Sequence, residues 1–521
     1  MKYHKIGLLS LIFTGIAGMI GSGWLFNAYY AARFAGTGAY LVWLIGVLPA
    51  LFLSLMLAEV VTLHPKRGLF ARLLTLSHDH DTGYITALTS WLGLVAVMSA
   101  ESVATIQYLA SVNQHWLPYL YNTTQHNLTS LGLLLCFCLL LIFGLLNFWG
   151  VNALAKSNNI LTVIKIFIPI IVAIAILSVA FHSNNFVTQK QHKMLPHGIT
   201  GIFSAIMASG IIYSFNGFQA VSSFCAEAKN ASRNVPLAMV IAIIISLLIY
   251  LLIQTAFIGG LPSHYLQHGW SELPYLNSPI VDLTALLGLN VISIIAYVGA
   301  SLGPCGAGIV FAGSTTRTLT ALSQEQQAPS FFNVLHPKYH FSRRSLVFNI
   351  TIASVLLFFA RNWHNLSILI SMFHITGYLA CPLALIRLRI KTPHRGKSSY
   401  RMPFATIICP LFFTLLTLLL CLTREKFLII YAGIIVVFYL SYIVIHNKWQ
   451  MIYIWRALQR SYMLPAFFVW LALVGVFGNP ISGAYFHLLS HQVFYLIVII
   501  SALFCYYRLT YKYKVSPYFR H

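Results

Sequence analysis

The chain is a succession of long apolar stretches parted by short polar ones. Predominantly hydrophobic runs cover about 7–32, 38–63, 84–112, 128–149, 158–182, 200–226, 236–260, 285–322, 344–361, 363–388, 403–423, 427–446, 462–478 and 493–510. Each of these fourteen runs is long enough, as helix, to cross about 30 Å of hydrocarbon. None shows the ~10-residue alternation of a barrel strand. Lipid offers no partner to an open peptide group, so the pattern predicts an all-α polytopic membrane protein with about fourteen spans.

Composition agrees. Of 521 residues, 59% are hydrophobic and only 8% charged, where a soluble domain carries roughly a quarter. Lys and Arg number 32 against nine Asp and Glu, a net charge of +23. In a soluble chain that excess suggests nucleic acid; here its placement decides. With the N-terminus set in the cytoplasm, twenty-five of these cations fall in loops and ends on the cytoplasmic side. Six (Arg33, Lys190, Lys193, Arg361, Arg424, Lys426) fall on the other side, and Lys165 lies inside a run. The split predicts an even number of spans, with both termini cytoplasmic, in a bacterial-type inner membrane. It assigns the charge to contact with lipid headgroups and not to nucleic acid. The first run is too long for a signal peptide's apolar region and lacks a small-x-small cleavage site, so it reads as a span. The eight cysteines (Cys136, Cys138, Cys225, Cys305, Cys381, Cys409, Cys421, Cys505) form no paired C-x-x-C set. They are expected as small buried hydrophobes, not as zinc ligands or disulfides.

Two runs are not expected to be straight. The first contains Gly15-Ile16-Ala17-Gly18-Met19-Ile20-Gly21-Ser22-Gly23, the sixth Gly210-Ile211-Ile212-Tyr213-Ser214-Phe215-Asn216-Gly217-Phe218-Gln219. Glycine within a helix costs about 1 kcal/mol relative to Ala, so this density predicts interruptions. A break opens peptide groups, which is tolerated in a membrane only where they line a cavity or bind something. Interrupted segments at matching places in two halves point to the binding site of a secondary transporter. Amides near Ser22 and Gly23 begin a half-helix at its positive end and suit a carboxylate. Carbonyls near Gly18, Met19 and Tyr213 are expected as free acceptors that suit an ammonium. An anion pocket beside a cation pocket describes an α-amino acid. The alternative is that the glycines only let helices pack closely.

These residues resemble the amino acid–polyamine–organocation transporter family. Gly21-Ser22-Gly23 is similar to that family's helix 1 signature. Tyr213 to Gln219, with Ala226-Glu227-Ala228-Lys229-Asn230 and Asn234-Val235-Pro236, resembles its helix 6 to helix 7 stretch. Asn158 to Lys165 resembles its helix 5, and Arg401-Met402-Pro403-Phe404 the stretch before helix 11. The resemblance spans about residues 6–445. It implies a LeuT-type 5+5 inverted repeat, with halves at about 7–182 and 200–388 followed by helices 11 and 12. Residues 446–521 then add two helices and a cytoplasmic tail. The resemblance further implies that Gly18, Met19, Ile20, Gly21, Ser22 and Gly23 hold the substrate's amino and carboxylate groups. Tyr213 takes the position of a gating or stacking aromatic, with Phe215, Asn216 and Gly217 in the unwound segment. Many members carry Glu where this chain has Gln219, so a gating carboxylate is absent there. Gln219 and His374 remain possible gate or pocket residues.

Charges inside spans are rare and costly, which makes them functional candidates. Lys165 is expected to couple uptake to protons, as the resemblance implies for a lysine at that position; snorkelling to the interface is the alternative. Glu101 is a second proton carrier, a partner for a cationic substrate, or a buried neutral acid. Glu59 is expected to cap or orient a loop, and His374 to be a satisfied buried imidazole. His78-Asp79-His80-Asp81 has the composition of a metal site, but no second ligand cluster accompanies it, and it is expected to be a solvated loop. No P-loop, dinucleotide fingerprint or nucleophile elbow is present, so neither a cofactor nor an ATP drive nor an enzyme is expected. The reading is an amino acid secondary transporter working by alternating access, with proton symport first and exchange of amino acids or amines second. A transporter-like sensor is the remaining alternative.

Overall fold

The computed structural model describes residues 6–63, 72–112, 115–148, 152–187, 195–223, 228–337, 341–391, 400–447, 449–480 and 488–513, with the side chains at 62–63, 152–161, 220 and 223 excepted. Cys225, the Ala226–Glu227 pair and the loop cations Lys2, Lys5, Lys66, Arg67, Lys190, Lys193, Lys338, Arg395, Lys397, Lys448, Lys514 and Arg520 lie outside the described residues, as do the side chains of Lys156 and of Asn158 to Leu161.

Helices dominate. In chain order they are α1 (Leu8–Met19), α2 (Gly23–Ala35), α3 (Ala39–Gly46), α4 (Leu48–Leu63), α5 (Leu73–Ser77), α6 (His80–Ser111), α7 (Leu117–Leu120), α8 (Ser130–Phe148), α9 (Asn152–Val179), α10 (Gly198–Ala208) and α11 (Ile211–Ser214). The second half comprises α12 (Gln219–Ser223), α13 (Ala231–Gly260), α14 (Pro279–Leu286), α15 (Asn290–Gln324), α16 (Arg343–Phe359), α17 (Trp363–Lys391), α18 (Ala405–Cys421), α19 (Glu425–His446), α20 (Met451–Ser461), α21 (Met463–Gly478) and α22 (His491–Tyr511). A two-stranded hairpin, Tyr121–Asn122 with Asn127–Leu128, joins α7 to α8. Among the described residues nine helices are long and apolar enough to cross a membrane, or ten if α20 and α21 count as one bent span. Three shorter apolar helices, α1, α10 and α18, accompany them. The chain is therefore a polytopic all-α membrane protein.

Burial sorts the helices by place. The apolar stretches of α6 and α17 are almost wholly enclosed, whereas α8, α9, α19 and α22 turn most of theirs outward. α6 packs along both α15 and α17. A helix enclosed on all sides does not meet acyl chains, so it can carry polar groups if neighbours satisfy them. Glu101 on α6 and His374 on α17 are in that position, both 1% exposed. Glu59, near the end of α4, is held by Arg389 of α17: Nε and Nη2 donate at 2.8 and 2.6 Å, and the Met402 amide donates at 2.7 Å. That carboxylate ties the segment before α18 to the end of α17. Five cysteines are buried, but Cys138 is exposed on α8 and Cys305 is half-buried.

The His78–Asp81 segment is not a solvated loop. His78 and Asp79 are 3% and 8% exposed because the end of α22 covers them. His78 Nε2 lies 3.0 Å from the Leu509 carbonyl, and the Tyr513 hydroxyl donates to Asp79 and sits 2.8 Å from Thr82 Oγ1. Arg387 of α17 donates to the carbonyls of Thr510 and Tyr513. No group of three or more metal-ligating side chains occurs among the described residues. Burial, assisted by Arg387, pushes the His78 imidazole down from 6.5 to about 4, against the opposing pull of the Leu509 carbonyl and Asp79. The docked state thus holds His78 neutral, while a released His78 takes up a proton below about pH 6.5. The contribution of His78 to the docking of α22 is fully present above that pH. It weakens as pH falls toward about 4, by up to about 1.4 kcal/mol per pH unit. Thermal melts of the detergent-solubilised chain from about pH 7 to about pH 5 are expected to show a falling midpoint, and His78→Asn to flatten that slope.

Candidate substrate site

Both glycine-rich segments are interrupted. α1 stops at Met19, Ile20 to Ser22 leave the helix, and α2 resumes at Gly23. The second segment breaks twice: Gly210 turns left-handed at φ 74° between α10 and α11, and Phe215 to Phe218 form a turn before α12. The two breaks touch. A Cβ on Gly18 would stand 2.9 Å from Gly217 Cα, and one on Gly217, whose φ is 131°, would enter the Gly18 backbone. Glycine at both places is what lets the chains cross.

The opened peptide groups find partners inside the protein. The Tyr250 hydroxyl of α13 lies 2.8 Å from the Met19 carbonyl and 3.0 Å from that of Ser214, and its one hydrogen is shared between them. The Met19 carbonyl also accepts from the Gly21 amide, and the Tyr213 carbonyl accepts from the amides of Phe215 and Asn216. The acceptors expected to be free at Met19 and Tyr213 are therefore occupied. The Ser22 amide is occupied as well: it donates to the two Glu101 carboxylate oxygens at 3.1 and 3.3 Å. Glu101 reaches it because Gly21 has no side chain; a Cβ there would collide with Glu101 Oε1.

Glu101 also accepts from the Tyr213 hydroxyl, which lies 3.0 Å from Ser22 Oγ. Trp363 Nε1 donates to that same Ser22 oxygen at 2.8 Å. The Trp363 ring stacks on Phe26 at 4.5 Å and meets Tyr213 edge-on at 5.9 Å. Asn27 Nδ2 donates to the Gly210 carbonyl at 3.1 Å and to Ser214 Oγ, tying α2 to the second break. Ser22, Glu101, Tyr213, Tyr250 and Trp363 are all nearly inaccessible to solvent. The arrangement is closed.

The structure brings Gly18 to Gly23, Glu101 and Tyr213 together, with Phe215 to Gly217 alongside. Phe215 lies edge-on to Trp43 and Tyr250. Gln219 closes the second turn: its oxygen accepts from the Gly217 amide at 3.0 Å and its nitrogen donates to Asn216 Oδ1. An ionised Glu could not make the second bond, which gives the departure at Gln219 a local reason. Two buried polar atoms here find no partner among the described residues, Asn216 Nδ2 and Asn27 Oδ1. Lys165 is buried on α9, 6% exposed, so it does not snorkel.

His374 stands apart from this network. Its Nδ1 lies 2.7 Å from the Ile370 carbonyl of its own helix and its ring packs over Gly93, but its Nε2 has no partner among the described residues. It is buried but not satisfied. Sequence reasoning missed Tyr250, Trp363 and Asn27. Tyr250 shows only as one hydroxyl in an apolar run, and Trp363 as an aromatic at a span's start.

Gly217→Ala is expected to cost more than about 3 kcal/mol, from overpacking against Gly18 and a left-handed backbone. Gly433→Ala, with nothing within 4 Å of its Cβ position, is expected to be neutral or slightly stabilising. Thermal melts and the yield of monodisperse protein compare the two.

The family model described as amino acid permease matches residues 6–455. The chain is 34% identical over 446 residues to the glutamate/serine transporter AimA of Bacillus subtilis (strain 168), covering 84% of this chain and 81% of that one. It is 28% identical over 509 residues to the aspartate-proton symporter of the same organism, covering 96% and 95%. The branched-chain amino acid permease BcaP, also from that organism, is 24% identical over 78% and 85%. These relatives are transporters and not enzymes. With a broken-helix site at its centre and this match along most of its length, the chain belongs to the amino acid permease family of the amino acid–polyamine–organocation superfamily.

Proposed function

We propose that this chain is a proton-coupled amino acid symporter in which Glu101 carries the coupling proton. The observation behind this is the place of its carboxylate, on the Ser22 amide at the N-terminal end of α2 and under the Tyr213 hydroxyl. That end attracts anions through its open amides and helix dipole. A substrate α-carboxylate seeks the same donors. Two unit negative charges about 4 Å apart repel by about 4 kcal/mol at an effective dielectric of 20, roughly three decades in affinity. Glu101 must therefore be neutral, or leave, when the carboxylate binds. Proton uptake does the first and favours the second. Lys165, buried on α9, receives or returns the proton as the carboxylate moves.

In this reading the breaks of α1–α2 and α10–α12 are the equivalent discontinuous helices of a LeuT-type 5+5 inverted repeat. Helices 11 and 12 and two C-terminal spans complete it, in an inner membrane with both ends cytoplasmic. Alternating access rocks one set of helices about the site. Glutamate, aspartate and serine are the first substrates to try, given the names of the two longest-matching relatives described above. The unpartnered Asn216 Nδ2 and Asn27 Oδ1 suit a small polar side chain and an ammonium.

Uptake of the three labelled amino acids into liposomes tests this, with an inward proton gradient and an empty lumen. Saturable accumulation that collapses with the gradient is expected. Glu101→Gln is expected to bind substrate with no pH dependence, and Lys165→Ala to lose gradient-driven accumulation. Uptake that needs a preloaded lumen instead identifies an exchanger, and accumulation that survives Lys165→Ala removes Lys165 from coupling.

A further inference from the structure

Residues 446–521 contain seven Lys or Arg and no Asp or Glu. Two of those cations lie on α20, which differs from every span. At 11 residues it is about 16 Å long, too short to cross a bilayer. It meets α21 at a bend of 63°, so it cannot continue along that span's axis.

Its surface divides into three strips at helical spacing. Ile454, Ala457, Leu458 and Ser461 face the protein, packing on α6 and α19, and Ser461 Oγ lies 2.6 Å from the Tyr439 hydroxyl. Met451, Ile452 and Trp455 form a second strip and are 78%, 59% and 62% exposed. Arg456, Gln459 and Arg460 form an exposed polar strip beside it. Large apolar and cationic strips, both bare, meet their needs together only at the boundary between acyl chains and headgroups.

The surroundings fit the same boundary. Trp449 and Tyr462, at the two ends of the helix, are 79% and 54% exposed, and such rings settle at headgroup level. Below Tyr462 an apolar groove between α19 and α21, lined by Leu440, Ala466, Val469 and Trp470, offers about 360 Å³. Arg508 and Lys512 are exposed at the end of α22, which docks at the His78–Thr82 corner, and Arg460 borders a cleft with Asp79 and Asp81 of that same corner.

We propose that α20 lies in the plane of the membrane and is a docking surface for anionic phospholipid. Arg456 and Arg460 take the headgroup phosphate, Met451, Ile452 and Trp455 sink among the acyl chains, and one chain of the bound lipid lies in the α19–α21 groove. Assignment to the cytoplasmic leaflet rests on the orientation given above; the binding itself does not.

The test uses the purified full chain in phosphatidylcholine vesicles into which brominated phosphatidylglycerol or brominated phosphatidylcholine is titrated, reading tryptophan quenching without substrate. The expected result is stronger quenching by the anionic lipid, a preference that fades as salt is raised. Arg456→Gln with Arg460→Gln is expected to reduce it by on the order of 30-fold, about fivefold per cation. Trp455→Phe is expected to reduce the preferentially quenched component, leaving the share from Trp470 in the groove and Trp449 at the helix end. Equal quenching by both lipids, a preference insensitive to salt, or one unchanged in the double variant overturns the proposal. So does a double variant whose only change is from dimer to monomer, since the face is then a contact between copies. The salt titration needs no variant and stands if the double variant fails to fold. No transport is measured, so failure here leaves the symporter reading untouched, and failure of uptake leaves this one untouched.

Discussion

Two carbonyls, from Met19 and Ser214, converge on the single hydroxyl of Tyr250. That convergence follows from the cost of opening a helix inside a membrane. A peptide group without a partner in an apolar medium costs several kcal/mol, so two helices cannot be broken independently. The breaks here share partners. Tyr250 serves both, Asn27 reaches from α2 to Gly210 and Ser214, and Gly18 crosses Gly217 backbone to backbone. The site is one polar island with two strands through it, and the surrounding helices are placed to keep it dry.

The same accounting explains where acids and bases are found. α6 and α17 are enclosed by other helices, so Glu101 meets an amide and a hydroxyl instead of lipid. Glu59, nearer a helix end, has a guanidinium and an amide. The C-terminal helix is held in kind: α22 ends on His78, Asp79 and Arg387 through carbonyls and a phenol. α22 is thereby fastened to α17 and to the start of α6, the two helices most enclosed by the others.

Much of this was legible in the apolar runs. The runs at 403–423, 427–446, 462–478 and 493–510 fall within a few residues of α18, α19, α21 and α22, because a lipid-facing helix leaves an unbroken hydrophobic record. The glycine-dense breaks were legible for the opposite reason, since Gly is costly in a helix without a cause. α20 was not: its Arg residues interrupt the run at helical spacing, so the stretch reads as a loop. His78–Asp81 misled because its composition is that of a solvated turn, while its burial depends on Leu509 and Tyr513, more than 400 positions away. Nor did any local pattern show which carbonyls are open. Met19 and Tyr213 were expected to be free, and partners from α13 and from the turn itself close them.

The row of bonds from Trp363 through Ser22 and Tyr213 to Glu101 has a polarity that its geometry alone does not reveal. An indole N–H donates and never accepts. Each hydroxyl owns one hydrogen, so with Glu101 ionised every bond in the row points toward the carboxylate. A protonated Glu101 that donates its new hydrogen to the Tyr213 oxygen turns Tyr213's own hydrogen back toward Ser22. Trp363 still donates to Ser22 from the other side, so the Ser22 hydrogen is pushed out of the row altogether. The row works as a ratchet of donors, fixed at the indole and reversible at the acid. Its one loose hydrogen appears at Ser22, at the mouth of the α2 half-helix, when the acid is charged with its proton.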